Sequence, residues 1–337
     1  MKNSKLPFAV LAGTLLSSMA SAQTADDPME LTFHTIMVAE DPISQCARTV
    51  LAPEIENRSG GAMSVTVFDS AQLFPQGSNA DALAQGQIDL EVTAVSTHED
   101  LVPYASMFTS AYIFESVEHA QRFWSSPEGQ AVMDDVAEAT NIRPLSGMMF
   151  YGTRQLSLTD AVDREVRTPE DLEGVKLRMA NFPSWIALGR ALGADPTPVA
   201  FNETYLALQS GVVDGQDNGL TVSRAMGFHE QTTQLVLTDH LIWNLHFAIN
   251  EDRWQSLSEE QQGWIQGAAD AGHACVTDLI LKGEEELLDA YRAEGVTIVE
   301  PDKEAFIGHA RAFYESDPLA QQWDRALYDR VVTMADE

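Results

Sequence analysis

The sequence predicts an α/β protein built from two lobes, and three observations lead to this fold class. Strand-like and helix-like segments alternate along the N-terminal half of the chain. The same alternation starts again after Phe150, as expected for a second α/β unit. A helical pattern then runs from Ser258 to about Ala293. A helix of roughly 35 residues would be about 50 Å long, so we expect it to cross both lobes.

The first half contains predicted strands that are separated by helices. Asp41-Pro42 supplies an N-cap residue and a proline at the first helical position, and we expect Pro53 to bend or break the helix that follows. Ser116 predicts the start of a helix that runs to about Thr140. This alternation is typical of a sheet with parallel strands. Three segments have a strand pattern: 29–35, 63–68 and 88–93.

The second half repeats this organisation. A capping box with proline at its first helical position, 168–171, predicts a short helix. The segment VKLRMA, 175–180, alternates apolar and basic residues as a strand does. Two further helices are predicted to begin at Pro183 and Asn202, the latter as an N-cap. Residues 214–219, DGQDNG, have the composition of a turn.

The N-terminus has the composition of a secretory signal peptide. Two lysines precede an apolar run, 6–16, which is too short to cross a bilayer. Ala20-Ser21-Ala22 fits a cleavage site, so we predict that residues 1–22 are removed after Ala22. We expect an exported protein without stable membrane insertion.

The formal net charge of −31 limits the possible partners. An excess of acidic residues this large argues against binding to nucleic acid and to anionic membrane surfaces. It also repels small anions, unless positive charge is concentrated at one place in the fold.

The sequence contains no recognisable catalytic or metal-binding motif. The segment that starts at Asp214 is similar to a calcium loop, but Gln216 and Ala225 occupy two ligand positions. Cys46 and Cys275 belong to no C-x-x-C pair, and both a disulfide and two free thiols remain open. We therefore expect no cofactor, no metal and no catalytic residue, and we favour binding over catalysis.

Several segments together resemble one known family. Two lie in the first half, SAQLFPQG (70–77) and ALAQGQIDLEV (82–92). Four lie in the second: YGTRQLSL (151–158), TPEDLEGVKLRM (168–179), ALGADPTPVAFNETYLALQSG (191–211) and VVDGQDN (212–218). The chain resembles the substrate-binding receptors of tripartite ATP-independent periplasmic (TRAP) transporters, the DctP-like family. The resemblance implies a periplasmic binding protein of two lobes around a ligand cleft, with a long helix crossing both lobes.

The resemblance also implies which residues bind the ligand. Arg178 matches the arginine that holds the ligand carboxylate, and its guanidinium offers two parallel donors for two oxygens. Arg154 and Asn218 match a second arginine and an amide near the same carboxylate. The residues by themselves leave other interpretations open: a solvated strand residue for Arg178, an ion pair with an acidic neighbour for Arg154, and a turn residue for Asn218.

Further candidates complete the expected site. Phe201 matches an aromatic residue that packs on the ligand, Gln76 is a polar candidate from the first lobe, and Trp185 is a weaker candidate from the second. Sialic-acid receptors have polar side chains near the positions of Ile36 and Ala94, which disfavours that ligand here. Other polar candidates from the first lobe are Thr35, Gln72, Thr93, Ser96, Thr97 and His98.

We predict that lobe I comprises residues 23–151 and about 244–283, and lobe II about 152–243 and 284–337. The predicted function is a monomeric periplasmic receptor that binds a small organic acid and delivers it to TRAP membrane subunits. A sugar acid such as a uronate or aldonate is favoured, and a C4-dicarboxylate is the alternative within the family. The alternative from another class is an exported enzyme that acts on an organic acid in the same cleft.

Overall fold

A computed structural model describes residues 28–337, and the predicted signal peptide lies outside these residues. The described chain forms one sheet with strand order β2-β1-β3-β9-β5-β8-β6-β7, and β4 and β10 also pair with β9. The strands are β1 (Met29–His34), β2 (Met63–Phe68), β3 (Leu90–Thr93), β4 (Ile142–Pro144), β5 (Met149–Leu158), β6 (Lys176–Met179), β7 (Asp195–Pro198), β8 (Gly215–Asn218), β9 (Gln234–Asn250) and β10 (Thr297–Val299).

Helices account for most of the rest of the described chain. The α-helices are α1 (Pro42–Cys46), α2 (Ala52–Arg58), α3 (Asn79–Ala84), α4 (Val117–Trp124), α5 (Pro127–Thr140), α6 (Pro183–Ala191), α7 (Thr204–Gln209), α8 (Leu220–Ala225), α9 (Glu251–Ser256), α10 (Glu259–Ala293), α11 (Lys303–Ser316) and α12 (Arg325–Thr333). A π-helical turn spans Ala47–Leu51, and 3₁₀ turns span Val95–His98, Pro103–Thr109, Pro169–Leu172, Phe201–Glu203, Phe228–Gln231, Ala320–Gln322 and Met334–Asp336.

The α/β class is confirmed, but the sheet is mixed and not wholly parallel. The strand groups β1–β3 and β6–β8 are each parallel, as predicted. Between them lies β9, which is antiparallel to β3, β4 and β5. This strand has 17 residues, nearly all buried, and was not predicted from the sequence. A strand covered on both faces loses the alternation of apolar and polar residues that makes strands recognisable.

Two predicted helix boundaries are wrong for local reasons. The predicted helix from Ser116 to Thr140 is two helices, because Ser126 accepts a hydrogen bond from the Gly129 amide and caps α5, with Pro127 at its first position. The helix expected at Asn202 instead begins at Thr204, after a 3₁₀ turn.

The predicted turn at 214–219 is a buried strand instead. Gly215 allows this packing, because a Cβ atom there would lie 2.6 Å from a side-chain atom of Leu158. The polar side chains of β8 find partners inside the protein, so they do not need solvent.

The long helix α10 is confirmed at 35 residues, and it packs against β5, against α1 and α2 of the first half and against α8 of the second. Cys46 of α1 forms a disulfide with Cys275, which lies near the middle of α10, and the S–S distance is 2.02 Å. The disulfide is thus the correct one of the two options that the sequence left open. In the described part of the chain, every helix is too short or too polar to span a bilayer.

Candidate functional site

A cavity of 480 Å³ lies between the β1–β3 group and the β5–β8 group of strands. This volume falls in the range of about 300–1,000 Å³ that is usual for small-molecule sites. The six residues predicted for the site all line it: Gln76, Arg154, Arg178, Trp185, Phe201 and Asn218.

Arg178 is a buried cation without a counter-ion. Strand β6 pairs on both sides, and Arg178 is only 2% exposed. Its Nε donates to the Val199 carbonyl at 2.9 Å, and the guanidinium lies 5.6 Å from the Phe201 ring centre. Among the described residues, no carboxylate pairs with Arg178, and its Nη2 has no hydrogen-bond partner. Burial lowers its pKa to about 10, so the side chain stays charged at neutral pH.

Arg154 already has a carboxylate partner inside the protein. Its Nε donates to Oδ2 of Asp217 at 2.7 Å, and its Nη2 donates to Oδ1 at 3.2 Å and to the carbonyl oxygen of the same residue. Burial would raise the pKa of Asp217, but Arg154 and a hydrogen bond from His240 outweigh it and hold the pKa far below its usual value. The ion-pair interpretation of Arg154 therefore describes this geometry, although the residue also lines the cavity.

Two tryptophans hold the Arg154 guanidinium in place. It lies 4.5 Å from the ring centre of Trp185 and 5.6 Å from that of Trp243. The two rings meet edge to face, with centres 5.0 Å apart. Cation–π contact and the Asp217 pair together fix the orientation of Arg154.

Asn218 and Gln76 reach the cavity from opposite sides. Asn218 is buried at the end of β8, where its Nδ2 donates to Oε1 of Gln216 at 2.5 Å. Oε1 of Gln76 accepts a hydrogen bond from the backbone amide of Phe201 at 2.7 Å. A second contact across the cavity joins the Glu99 carboxylate to the amide of Ser184, at 3.1 and 3.2 Å. The two sides of the site are thus already in contact.

The β1–β3 side contributes polar groups that only partly match the sequence candidates. Thr93 hydrogen-bonds Nε2 of His98 at 2.7 Å, and burial lowers the pKa of this histidine to about 4, so it is neutral. Gln72 and Ser96 do not line the cavity, whereas Thr35, Thr93, Thr97 and His98 do.

Sequence reasoning missed Glu91 and Asn79, which also line the cavity. Nδ2 of Asn79 donates to Oε1 of Glu91, and Glu91 is 4% exposed. Burial raises the pKa of Glu91 to about 8, and the Asn79 hydrogen bond opposes this only in part. The signal in the sequence is a glutamate inside an otherwise apolar strand, LEVT.

The titratable pair whose carboxylate acts on Arg178 is not available to a ligand. Asp217 and His240 are 3.2 Å apart and fully buried, and neither lines the cavity. In the described residues, His, Cys, Asp and Glu side chains form no cluster that could hold a metal ion. The lining therefore suits binding of an anion more than proton-transfer chemistry.

Comparisons with known proteins agree with this architecture. Residues 33–317 match the family model described as bacterial extracellular solute-binding protein, family 7. The sialic acid-binding periplasmic protein of Vibrio cholerae is 28% identical over 302 residues, covering 90% of each chain.

Solved structures of relatives superpose closely on this chain. A TRAP periplasmic solute-binding protein from Roseobacter denitrificans, with bound 3-deoxy-D-manno-oct-2-ulosonic acid, gives a TM-score of 0.86 at 33% identity, covering 91% of this chain and 100% of its own. A second protein from that organism, with bound L-galactonate, gives a TM-score of 0.81 at 26% identity, covering 91% of this chain and 98% of its own.

These findings confirm the two-lobe TRAP receptor fold. They also confirm that the protein serves transport and is not an enzyme. The chain belongs to family 7 of the bacterial extracellular solute-binding proteins, the DctP family.

Proposed function

We propose that this protein is the receptor for a sugar acid with one carboxylate, which Arg178 binds as a two-donor salt bridge. The observation that carries the proposal is a charged guanidinium that is 2% exposed, faces a cavity and lacks a carboxylate partner in the described chain. A buried cation of this kind is costly unless an anion joins it. A ligand carboxylate has the matching geometry.

The balance of charge around the cavity favours a monoanion. Arg154 and Arg178 are the only arginines or lysines that line it in the described structure. Asp217 offsets the charge of Arg154, which leaves Arg178 as the uncompensated cation. The second carboxylate of a C4-dicarboxylate would therefore find no free positive charge, and this favours the predicted sugar acid over the dicarboxylate alternative.

The bound ligands of the relatives support the same class. The two Roseobacter denitrificans proteins hold a keto-sugar acid and an aldonate. The Vibrio cholerae relative is named for sialic acid. Sialic acid remains disfavoured here, because Ile36 and Ala94 place apolar groups on the β1–β3 side of the cavity.

We further propose that ligand binding stabilises a closed arrangement of two lobes with the boundaries predicted from the sequence. Asn218 would donate its free amide hydrogen to the carboxylate, while Phe201 and Trp185 would pack on the ligand. The Gln76–Phe201 and Glu99–Ser184 contacts would hold the lobes together. The mature receptor, cleaved after Ala22 and monomeric, would then deliver the ligand to TRAP membrane subunits.

Calorimetric titration with a defined panel tests this proposal. The panel comprises D-glucuronate, D-galacturonate, L-galactonate, succinate and the uncharged D-glucuronamide. We expect at least one sugar acid to bind about 100-fold more tightly than succinate or the amide, because the amide lacks the charge that Arg178 needs. Equal binding of the amide would contradict the carboxylate anchor, and tighter binding of succinate would favour the dicarboxylate alternative.

A further inference from the structure

Part of the lining of the cavity comes from the β1–β3 side. We call it the distal pocket and define it by Asn79, Ala80, Leu83, Glu91 and Ile142, which come from α3, β3 and β4. Leu83 and Ile142 belong to a small apolar cluster of their own. The distal pocket therefore has largely apolar walls and one buried carboxyl group, that of Glu91, while Asp81 of α3 lines the same side but is exposed.

The carboxyl group of Glu91 is only half satisfied by the protein. Asn79 donates to Oε1, whereas Oε2 is buried without a hydrogen-bond partner among the residues that the structure describes. An unpaired buried polar atom costs about 1–3 kcal/mol. Such a cost at the wall of a cavity is relieved when a ligand or a water molecule supplies the missing partner.

Glu91 is not suited to pair with a cation at neutral pH. Burial raises its pKa to about 8, so the carboxyl group is mostly protonated near pH 7. A protonated carboxyl both donates and accepts hydrogen bonds, as a hydroxyl group does. The neighbouring Asn79 amide adds further donor capacity.

We propose that Glu91 and Asn79 recognise hydroxyl groups at the end of the ligand that lies opposite its carboxylate. This inference rests on the proposed function and deepens it, since Arg178 sets the charge of the ligand and the distal pocket sets its length and hydroxylation. A short carboxylic acid would fill the arginine end and leave Oε2 of Glu91 unpaired. A polyhydroxy acid of six or more carbons would satisfy both ends.

The experiment compares two variants on two kinds of probe. The long probe is the tightest binder among D-glucuronate, D-galacturonate and L-galactonate, and the short probe is L-lactate. Glu91→Ala should lower the affinity for the long probe about 10- to 100-fold and keep the affinity for lactate within about threefold of the wild-type value. Glu91→Gln keeps a hydrogen-bond acceptor and a donor at the same place, so its affinity for the long probe should stay within about fivefold of the wild-type value.

The matched control is Asp89→Asn. Asp89 precedes β3, bonds the Thr32 amide and Arg253, and does not line the cavity. Its substitution should change the affinity for either probe by no more than about twofold, and thermal melting checks that the variant is folded. Long probes are titrated by calorimetry and lactate by saturation-transfer NMR.

The outcomes separate this inference from the proposed function. Unchanged binding of the long probe to Glu91→Ala would overturn the inference and assign the free oxygen of Glu91 to a water molecule. Equal weakening of both probes would also overturn it, because a structural role affects both alike. If wild type binds none of the sugar acids, the proposed function and this inference both fail. If Arg178→Lys retains full affinity while Glu91→Ala loses it, the arginine anchor alone is wrong.

Discussion

Substitution of Asp217 by asparagine should both destabilise the protein and change its ligand preference. Asp217 is fully buried, and its carboxylate accepts two hydrogen bonds from Arg154, at 2.7 and 3.2 Å. Asparagine has nearly the same shape but carries no charge. The substitution leaves the Arg154 cation buried without a counter-ion.

The expected loss of stability is about 3 kcal/mol. Removing one partner of a buried ion pair typically costs about 3–5 kcal/mol. The lower end applies here, because Arg154 keeps the Asp217 carbonyl oxygen as an acceptor and the Trp185 ring at 4.5 Å. With an unfolding entropy of about 2.1 cal/mol/K per residue, a chain of this length has roughly 0.7 kcal/mol/K in total, so the Tm should fall by about 4–5 °C.

The same substitution exposes a second uncompensated cation to the ligand. We expect the affinity for succinate, relative to D-glucuronate, to rise at least about tenfold, because Arg154 becomes available for a second carboxylate. Calorimetry at constant ionic strength measures this ratio, and urea unfolding measures the loss of stability.

A surface ion pair provides the control. Asp289 pairs with Arg292 on α10, and its side chain is 84% exposed. Asp289→Asn should change stability by less than about 0.5 kcal/mol. A comparably small effect of Asp217→Asn would refute the buried pair, and an unchanged preference for succinate would refute the charge balance proposed for the cavity.

Three further predictions follow from other contacts. Replacing Cys46 and Cys275 by serine should lower the free energy of unfolding by about 2–5 kcal/mol, since the disulfide closes a loop with a sequence separation of 229; equal urea midpoints would contradict this. Glu99→Ala removes the contact to the Ser184 amide, so ligand affinity should fall about tenfold and, at a ligand concentration that closes the wild type, the variant should keep a larger radius of gyration in small-angle scattering, whereas an equal radius would exclude a role in closure. The folded protein keeps a proton on Glu91 that the unfolded chain releases above pH 4.5, so the free energy of unfolding falls as pH rises towards 8. Between pH 6.5 and 8, the free energy of unfolding of Glu91→Gln should therefore rise by about 2 kcal/mol relative to that of wild type. If the two proteins lost stability in parallel over this range, the raised pKa of Glu91 would be contradicted.

The sequence predicted those parts of the fold that depend on local signals. The long helix has a capping box at Ser258 and a helical pattern throughout, and it is observed at its full predicted length. Strand β6 has a clear alternation, and its position follows from it. Local signals of this kind depend on residues that are close in the sequence and not on tertiary contacts.

The missed elements depend on tertiary contacts. Strand β9 is buried over almost its whole length, and β8 contains Gly215, Gln216, Asp217 and Asn218, which resemble a turn in isolation. Their side chains are satisfied by partners that lie far away in the sequence, such as Arg154. Propensity cannot anticipate partners of that kind.

The candidate site shows the same division. The six predicted residues all line the cavity, and five of them lie in the segments that resemble the family, Trp185 being the exception. Whether Arg154 was paired could not be known, because Asp217 is 63 residues away in the chain. Glu91 was missed because a strand glutamate usually faces solvent, whereas this one is buried and accepts a hydrogen bond from Asn79 of α3.

The most direct test of the central claim is calorimetric titration of Arg178→Lys with the tightest sugar acid of the panel. Lysine keeps the positive charge but loses the two-donor fork, so affinity should fall about 30- to 5,000-fold, which corresponds to about 2–5 kcal/mol. Arg190→Lys is the matched control, because Arg190 is exposed on α6 and does not line the cavity. We expect the control to bind within about twofold of wild type. Wild-type affinity in a folded Arg178→Lys protein would contradict the claim that this arginine anchors the ligand.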